Sequence, residues 1–358
     1  MPVVHARHAM ATRFEIVLPG ENPVALRAAG EEALEEIERL EARLSLYQPA
    51  SEIARVNARA AQAPVRVSPD VFRLLECARR LHGETAGGFD ITVAPLVRCW
   101  GFMGGRGQMP DPEEVAAARA CVGMHQVELN AEACTVRFAR DGVMLDLGAI
   151  GKGYAIDCAA GILREAGVRS ALLHGGTSTT YAIGQPPGAE AWNVGIEWGA
   201  GEGSALAAAP EGAHRDQAPR PGATDEKCDA DARVDRSALL AVVSLRDESL
   251  SVSAVWGRAF ETGGRVYGHV IDPRTGEPVS RADLAAVVLP SATETDALST
   301  ALLTLGAEGL PSVSSLRAGI RAHVAGRTEG TGRVWIEAHG IAPRLDRSWK
   351  NPDPERIG

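Results

Sequence analysis

Between residues 199 and 236 the chain contains almost no large apolar residue; the stretch is made of Gly, Ala, Pro, Asp and Glu with scattered Arg. Such a segment buries too little surface to offset its ordering entropy. The core must therefore come from the sequence on either side, and 199–236 is expected to be a disordered insertion within one domain. On both sides, segments of helical and strand period follow one another. Pro23 to Leu44 places Leu26, Leu34, Ile37, Leu40 and Leu44 on one helical face. Ser68-Pro69 reads as a cap followed by the first helical residue of a helix running to about Glu84. Residues 113–121, Tyr154 to Ala166, 294–306 and 308–318 are also expected to be helical. Strand period is expected over 9–18, 125–130, 134–139, 143–147, 170–174, 180–184, 192–198, 239–245, 249–253, 265–271, 284–289, 319–325 and 333–338. The resulting fold class is α+β, with mixed sheets flanked by helices. The domain is expected to span 1–342 with a polar tail at 343–358.

Composition narrows the function. The 358 residues carry a formal net charge of −9, which provides no global attraction for phosphate backbones or anionic lipid, so nucleic acid is not expected as a main partner, and no run approaches 18 uninterrupted apolar residues, so membrane insertion is not expected. Lysine occurs only at 152, 227 and 350, which draws notice to Lys152 inside a motif. The six cysteines form no C-x-x-C pair and no disulfide framework. The N-terminus shows no signal peptide or lipobox, so a cytoplasmic protein is expected.

Four segments could carry chemistry. In Leu145-Asp146-Leu147-Gly148-Ala149-Ile150-Gly151-Lys152-Gly153-Tyr154, a strand ends at an acid and a glycine-rich turn opens a helix. This is either a phosphate cradle formed by helix-start amides and Lys152 or a plain strand-to-helix turn. Gly268-His269-Val270-Ile271-Asp272-Pro273-Arg274-Thr275-Gly276 is a turn whose preceding histidine is a general base, a phosphate contact or a hydrogen-bonded turn residue; Asp272 reads as a turn-former. Asp296 and Thr300 share a helical face as an i, i+4 pair. They are either hard ligands for Mg²⁺ or a helix-dipole acid and a hydroxyl bonded back into its helix. Phe89, Trp100, Phe102 and Tyr47 are either stacking platforms or, for most of them, core.

Taken in order, these pieces resemble the FAD:protein FMN transferase family, often called ApbE. The resemblance runs from about Met10 to Gly306 and is carried by Met10-Ala11-Thr12, Ser45-Leu46-Tyr47, Ser51-Glu52-Ile53, Asn57, Gly88 to Leu96, Trp100-Gly101-Phe102, Leu145 to Asp157, His269 to Gly276 and Asp296 to Thr300. It implies a T-fold-like architecture with an FAD cleft between two halves, and cleavage of FAD with Mg²⁺. FMN would pass to a Thr or Ser of a target flavoprotein, with release of AMP. It implies FAD contacts at Met10, Tyr47, Gly88, Phe89, Asp90, Asp146 and Lys152, a metal site at Ala149, Asp296 and Thr300, and a catalytic role for His269. Two departures stand out. Gly175-Gly176-Thr177 replaces Gly-Gly-Asn, and Ala254-Val255-Trp256 replaces Thr-Ser-Gly. The competing readings are an FAD pyrophosphatase using the same metal site and a flavin-binding protein without catalysis.

Overall fold

The computed structural model describes residues 2–199, 239–328 and 331–343. Apart from Gly199 and Pro343, the expected insertion and tail lie outside the described residues.

An eight-stranded sheet runs through the molecule in the order Val3–Ala9, Thr12–Leu18, Ala171–Gly175, Thr179–Ile183, Glu248–Ala254, Leu284–Leu289, Arg321–Arg327, Val334–His339. Every pairing in it is antiparallel. The class is α+β, as expected. Strand Leu284–Leu289 is buried at every position, because the sheet is covered on both faces. Alternate side chains Ala285, Val287 and Leu289 enter the main core, while Leu284, Ala286 and Val288 enter a second one. Helices Pro23–Leu44, Gly151–Glu165 and Ala292–Leu305 close the main core. The two-stranded antiparallel sheet of Trp192–Glu197 and Leu239–Leu245 covers the other face with Ile196, Leu240, Val243 and Leu245. A third cluster gathers Leu96, Trp100, Phe102, Val122 and Ile271.

The helix at Pro23–Leu44 buries Leu34, Ile37, Leu40 and Leu44, and Asn22 caps it by accepting from the Ala25 amide. Several boundaries differ from expectation, each for a local reason. Residues 9–18 are not one strand. The chain reverses at Met10-Ala11, which have φ of 50° and 58°, so Val3–Ala9 pairs with Thr12–Leu18. Neither residue is Gly or Asn, so the usual signal of a left-handed turn is missing. Residues 143–147 form no strand; there the Asn57 side chain takes both the amide and the carbonyl of Leu145. Ser68 precedes its helix, yet its hydroxyl goes to Glu52 rather than capping. The expected helix at 308–318 is shorter, Leu310–Ser314. The strand expected at 265–271 is half of a hairpin, Ala259–Thr262 with Arg265–Gly268. No helix among the described residues is long and apolar enough to cross a membrane.

Candidate active site

A cavity of about 990 Å³ opens where loops 88–90, 146–149, 256–258 and 269–273 meet the sheet and the starts of two helices. It is large enough for a dinucleotide-sized ligand. Tyr47, Gly88, Phe89, Asp90, Asp146, Ala149, Lys152, His269, Asp296 and Thr300 all line it. Met10, expected among them, does not. It sits in the hairpin turn and packs against the main core.

Two helices meet at the cavity floor. The helix expected from Tyr154 begins at Gly151. The Gly153 amide in its first turn donates to Asp296 Oδ2 at 3.0 Å. This approach requires glycine: an added Cβ would overlap the Ala292 carbonyl and lie 2.8 Å from Asp296 Cβ. One helix-start amide therefore serves a protein carboxylate instead of a ligand phosphate. Further along the same helix, Asp157 caps Ala292–Leu305 from outside, accepting from the amides of Ala292 and Thr293 and the hydroxyls of Ser291 and Thr293 at 2.6–2.9 Å. The far side of Ala292–Leu305 is tied to strand Glu248–Ala254 by hydroxyls. Ser251 meets Thr295 at 2.8 Å, and Ser253 meets Ser299 at 2.8 Å and Thr300 at 3.1 Å. Thr300 also donates to the Asp296 carbonyl at 3.2 Å.

Asp296, Thr300 and Ala149 all line the cavity, and among them they carry a carboxylate, a hydroxyl and a main-chain carbonyl. All are hard oxygen donors, and Asp296 alone is negative. Among the described residues no cluster of three or more His, Cys, Asp or Glu forms an all-protein metal cage. This donor set fits Mg²⁺, which binds through one or two carboxylates and completes its shell with water and substrate phosphate.

The Asp146 turn is held from below. Asn57 Nδ2 donates to the Leu145 carbonyl at 2.9 Å, Asn57 Oδ1 accepts the Leu145 amide at 2.7 Å, and the Asp146 amide donates to the Ile91 carbonyl at 2.7 Å. Asp146 Oδ1 accepts the Gly148 amide at 2.8 Å. Burial pushes the Asp146 carboxyl pKa up, opposed by that amide bond and by Lys152 and Arg258. Lys152 Nζ donates to the Gly148 carbonyl at 2.9 Å and stands 3.8 Å from Asp296 Oδ1.

His269 N and Nδ1 both approach the Arg258 carbonyl, at 3.0 and 3.2 Å. A carbonyl only accepts, so Nδ1 carries the ring proton and Nε2 keeps its lone pair. Burial first, then the charge of Arg258 and more weakly that of Lys152, hold the His269 pKa below its ordinary value, against the bond to the Arg258 carbonyl, which raises it. The ring is thus a neutral base at neutral pH. Asp272 is the turn-former expected, accepting the Arg274 amide and both ends of its guanidinium.

Asp90 lines the cavity, but its oxygens serve the protein. Oδ1 accepts the Thr92 amide and hydroxyl, and Oδ2 lies 3.2 Å from His82 Nδ1. The hydrogen bond to Asp90 raises the His82 pKa. Phe89, Trp100 and Phe102 are core residues, and Trp100 Nε1 donates to the Gly276 carbonyl at 2.8 Å. Tyr47, 60% exposed, is the aromatic left free at the rim. Trp256 forms part of the cavity wall, edge-on to Trp198 with ring centroids 5.2 Å apart. Thr177 also lines it, in the loop following Gly176 at φ 65°.

Arg258 and the three alternating serines did not stand out in the sequence, and Asp157 did so only as the end of the Leu145 to Asp157 stretch, with no role assigned. Ser-Leu-Ser-Val-Ser from 249 is a polar period-two pattern, and only a helix bearing Thr295, Ser299 and Thr300 gives it meaning.

Residues 10–324 match the ApbE family. A protein of Treponema pallidum named FAD:protein FMN transferase is 31% identical over 320 residues, covering 85% of this chain and 78% of that protein. One of the same name from Haemophilus influenzae is 29% identical over 292 residues, covering 79% and 75%. The crystal structure of Pseudomonas stutzeri flavinyl transferase ApbE in its apo form superposes with a TM-score of 0.74 at 26% identity, covering 95% of each chain.

Proposed function

The chain belongs to the ApbE family, and from that membership we propose that it performs the reaction for which its relatives are named, the transfer of FMN from FAD to a protein. It is a transferase, and FAD is its substrate. We read residues 1–342 as one transferase domain, with the tail 343–358 beyond it. The acceptor is a Thr or Ser hydroxyl of a target flavoprotein.

The FAD diphosphate lies against Lys152 and the turn at Gly148, with Tyr47 over a ring at the rim and Gly88, Phe89 and Asp90 forming the opposite wall. Asp296, the Thr300 hydroxyl and the Ala149 carbonyl would hold Mg²⁺. When bound there, the ion neutralises charge on the phosphate oxygens. Asp296 is fixed for this role by the Gly153 amide, and Thr300 by the Ser253 hydroxyl of strand Glu248–Ala254. His269 Nε2 takes the proton of the acceptor hydroxyl. That oxygen then bonds to the FMN phosphorus while the bond from phosphorus to the AMP phosphate breaks, and AMP departs. Such a positioned base contributes roughly 10²–10⁴-fold.

The observation that carries this reading is the His269 ring, held at Nδ1 by the Arg258 carbonyl and lining the same cavity as Asp296 and Lys152. The test is mass spectrometry of a Thr-bearing acceptor flavoprotein incubated with the chain, FAD and Mg²⁺. An FMN adduct that nearly disappears with His269→Ala is expected. FMN and AMP in solution without adduct would favour hydrolysis, and intact FAD throughout would favour a binder without catalysis.

A further inference from the structure

We propose that Arg258 is a positioning residue for His269, its carbonyl fixing which ring nitrogen carries the proton and its guanidinium setting the charge beside the ring. This rests on the reading of His269 as the base. Arg258 and His269 flank the hairpin in which Ala259 pairs with Gly268, so they continue its ladder by one step. The Arg258 carbonyl receives both the main-chain amide and the ring Nδ1–H of His269, at 3.0 and 3.2 Å. One acceptor thereby fixes the backbone and the ring of the same residue, which leaves the ring a single tautomer. The preceding Gly257 has φ 126°, a conformation that strains any residue with a Cβ. It turns the chain out of strand Glu248–Ala254 so that this carbonyl faces the ring.

The side chain is anchored separately. Arg258 Nη1 donates to the Phe102 carbonyl at 3.0 Å. The Phe102 ring meets the His269 ring edge-on, with centroids 6.4 Å apart and planes at 72°. One buried residue thus supports both the guanidinium and the imidazole, and both line the cavity. The charges acting on the ring are Arg258 and Lys152, both cations. The carboxylate of Asp146 answers these two cations. Burial and the two cations disfavour imidazolium and outweigh the Arg258 carbonyl, whose bond at Nδ1 favours it, so the arrangement keeps His269 ready to accept a proton.

The test follows His269 itself. The ring of the full chain, without FAD, is titrated by NMR and assigned by its loss in His269→Ala. The wild type is expected to show the Nδ1–H tautomer and to titrate below an ordinary histidine. Arg258→Gln is expected to raise its midpoint by roughly half to one unit, and Arg258→Lys to leave it near the wild type. The acidic limb of kcat/KM for transfer should move by the same amount, a roughly three- to tenfold loss below the limb with the alkaline plateau retained. If Arg258→Gln does not fold, Arg258→Met, which keeps the stem without the charge, takes its place. An unmoved midpoint, or KM raised equally at every pH, would overturn the proposal and leave Arg258 a phosphate contact or a packing residue. Because the titration needs no turnover, it stands apart from the transferase reading. That reading fails if His269→Ala transfers FMN normally.

Discussion

The amide of Gly153 and the carboxylate of Asp296, 3.0 Å apart, join the first turn of one helix to the side of another at the floor of the cavity. The contact puts a negative charge at the positive end of helix Gly151–Glu165, where it is stabilised. It also fixes Asp296, the one carboxylate of the oxygen donor set, without help from a ligand.

Gly153→Ala should break this junction. The new Cβ overlaps the Ala292 carbonyl and crowds Asp296 Cβ, so the helices must separate. Overpacking of this kind costs about 1–3 kcal/mol. Urea unfolding should show that loss, and FMN transfer should fall even under conditions where the variant is fully folded. Unchanged stability and turnover would mean that the helices slide apart without consequence.

Asp157→Ala tests the second tie between the same helices. Four donors at the start of Ala292–Leu305 converge on this carboxylate. Losing a cap of this kind should cost about 2 kcal/mol. Asp157 does not line the cavity, so any loss of transfer in folded protein would arise because Asp296 and Thr300 ride on the helix it holds. Thermal unfolding combined with transfer assays below the transition separates the two effects.

His323 predicts acid sensitivity. It is fully buried in strand Arg321–Arg327, between Ala286 and Ala338 in the ladder, with no partner for either ring nitrogen among the described residues. Burial pushes its pKa down to about 4, whereas an unfolded histidine titrates near 6.5. Between these values the unfolded chain binds the extra proton. Stability is therefore complete above about pH 6.5 and falls as pH drops towards 4, by roughly 3 kcal/mol. His323→Leu should flatten that slope in urea unfolding followed from pH 7 to pH 4. An equally steep slope in the variant would assign the acid sensitivity to other groups.

The helices and most strands were legible because burial of one face leaves its period in the sequence, as Leu34, Ile37, Leu40 and Leu44 show. The reversal at Met10-Ala11 was not, since two ordinary residues adopt a left-handed turn. Asp146, His269 and Asp296 could each be picked out locally, but their meeting is tertiary: it needs the helix crossing at Gly153 and the hairpin that sets Arg258 against His269. Asp157 caps a helix 134–136 residues away, and such a long-range cap leaves no local pattern. The free exposure of Tyr47 and the burial of Trp100 and Phe102 were likewise beyond reach, because aromatics carry the same identity in a core and at a rim.

Lys152→Met is the sharpest test of what the cavity binds. The ammonium stands in the first turn of helix Gly151–Glu165, bonded to the Gly148 carbonyl and 3.8 Å from Asp296 Oδ1. A cation at the positive end of a helix is electrostatically misplaced unless an anion joins it. Asp296 answers part of that charge, and its Oδ2 is already engaged by Gly153. The diphosphate of FAD would supply the remainder through charge-assisted hydrogen bonds. Replacing Lys152 with Met keeps the stem and removes the charge. FAD affinity should then fall by roughly 1–3 kcal/mol, about five- to a hundredfold and more, as for other charge-assisted bonds. Riboflavin, which has no phosphate, should bind wild type and variant alike. Calorimetry with both ligands reads the difference directly. An equal loss for the two would show that Lys152 shapes the cavity rather than recognising phosphate.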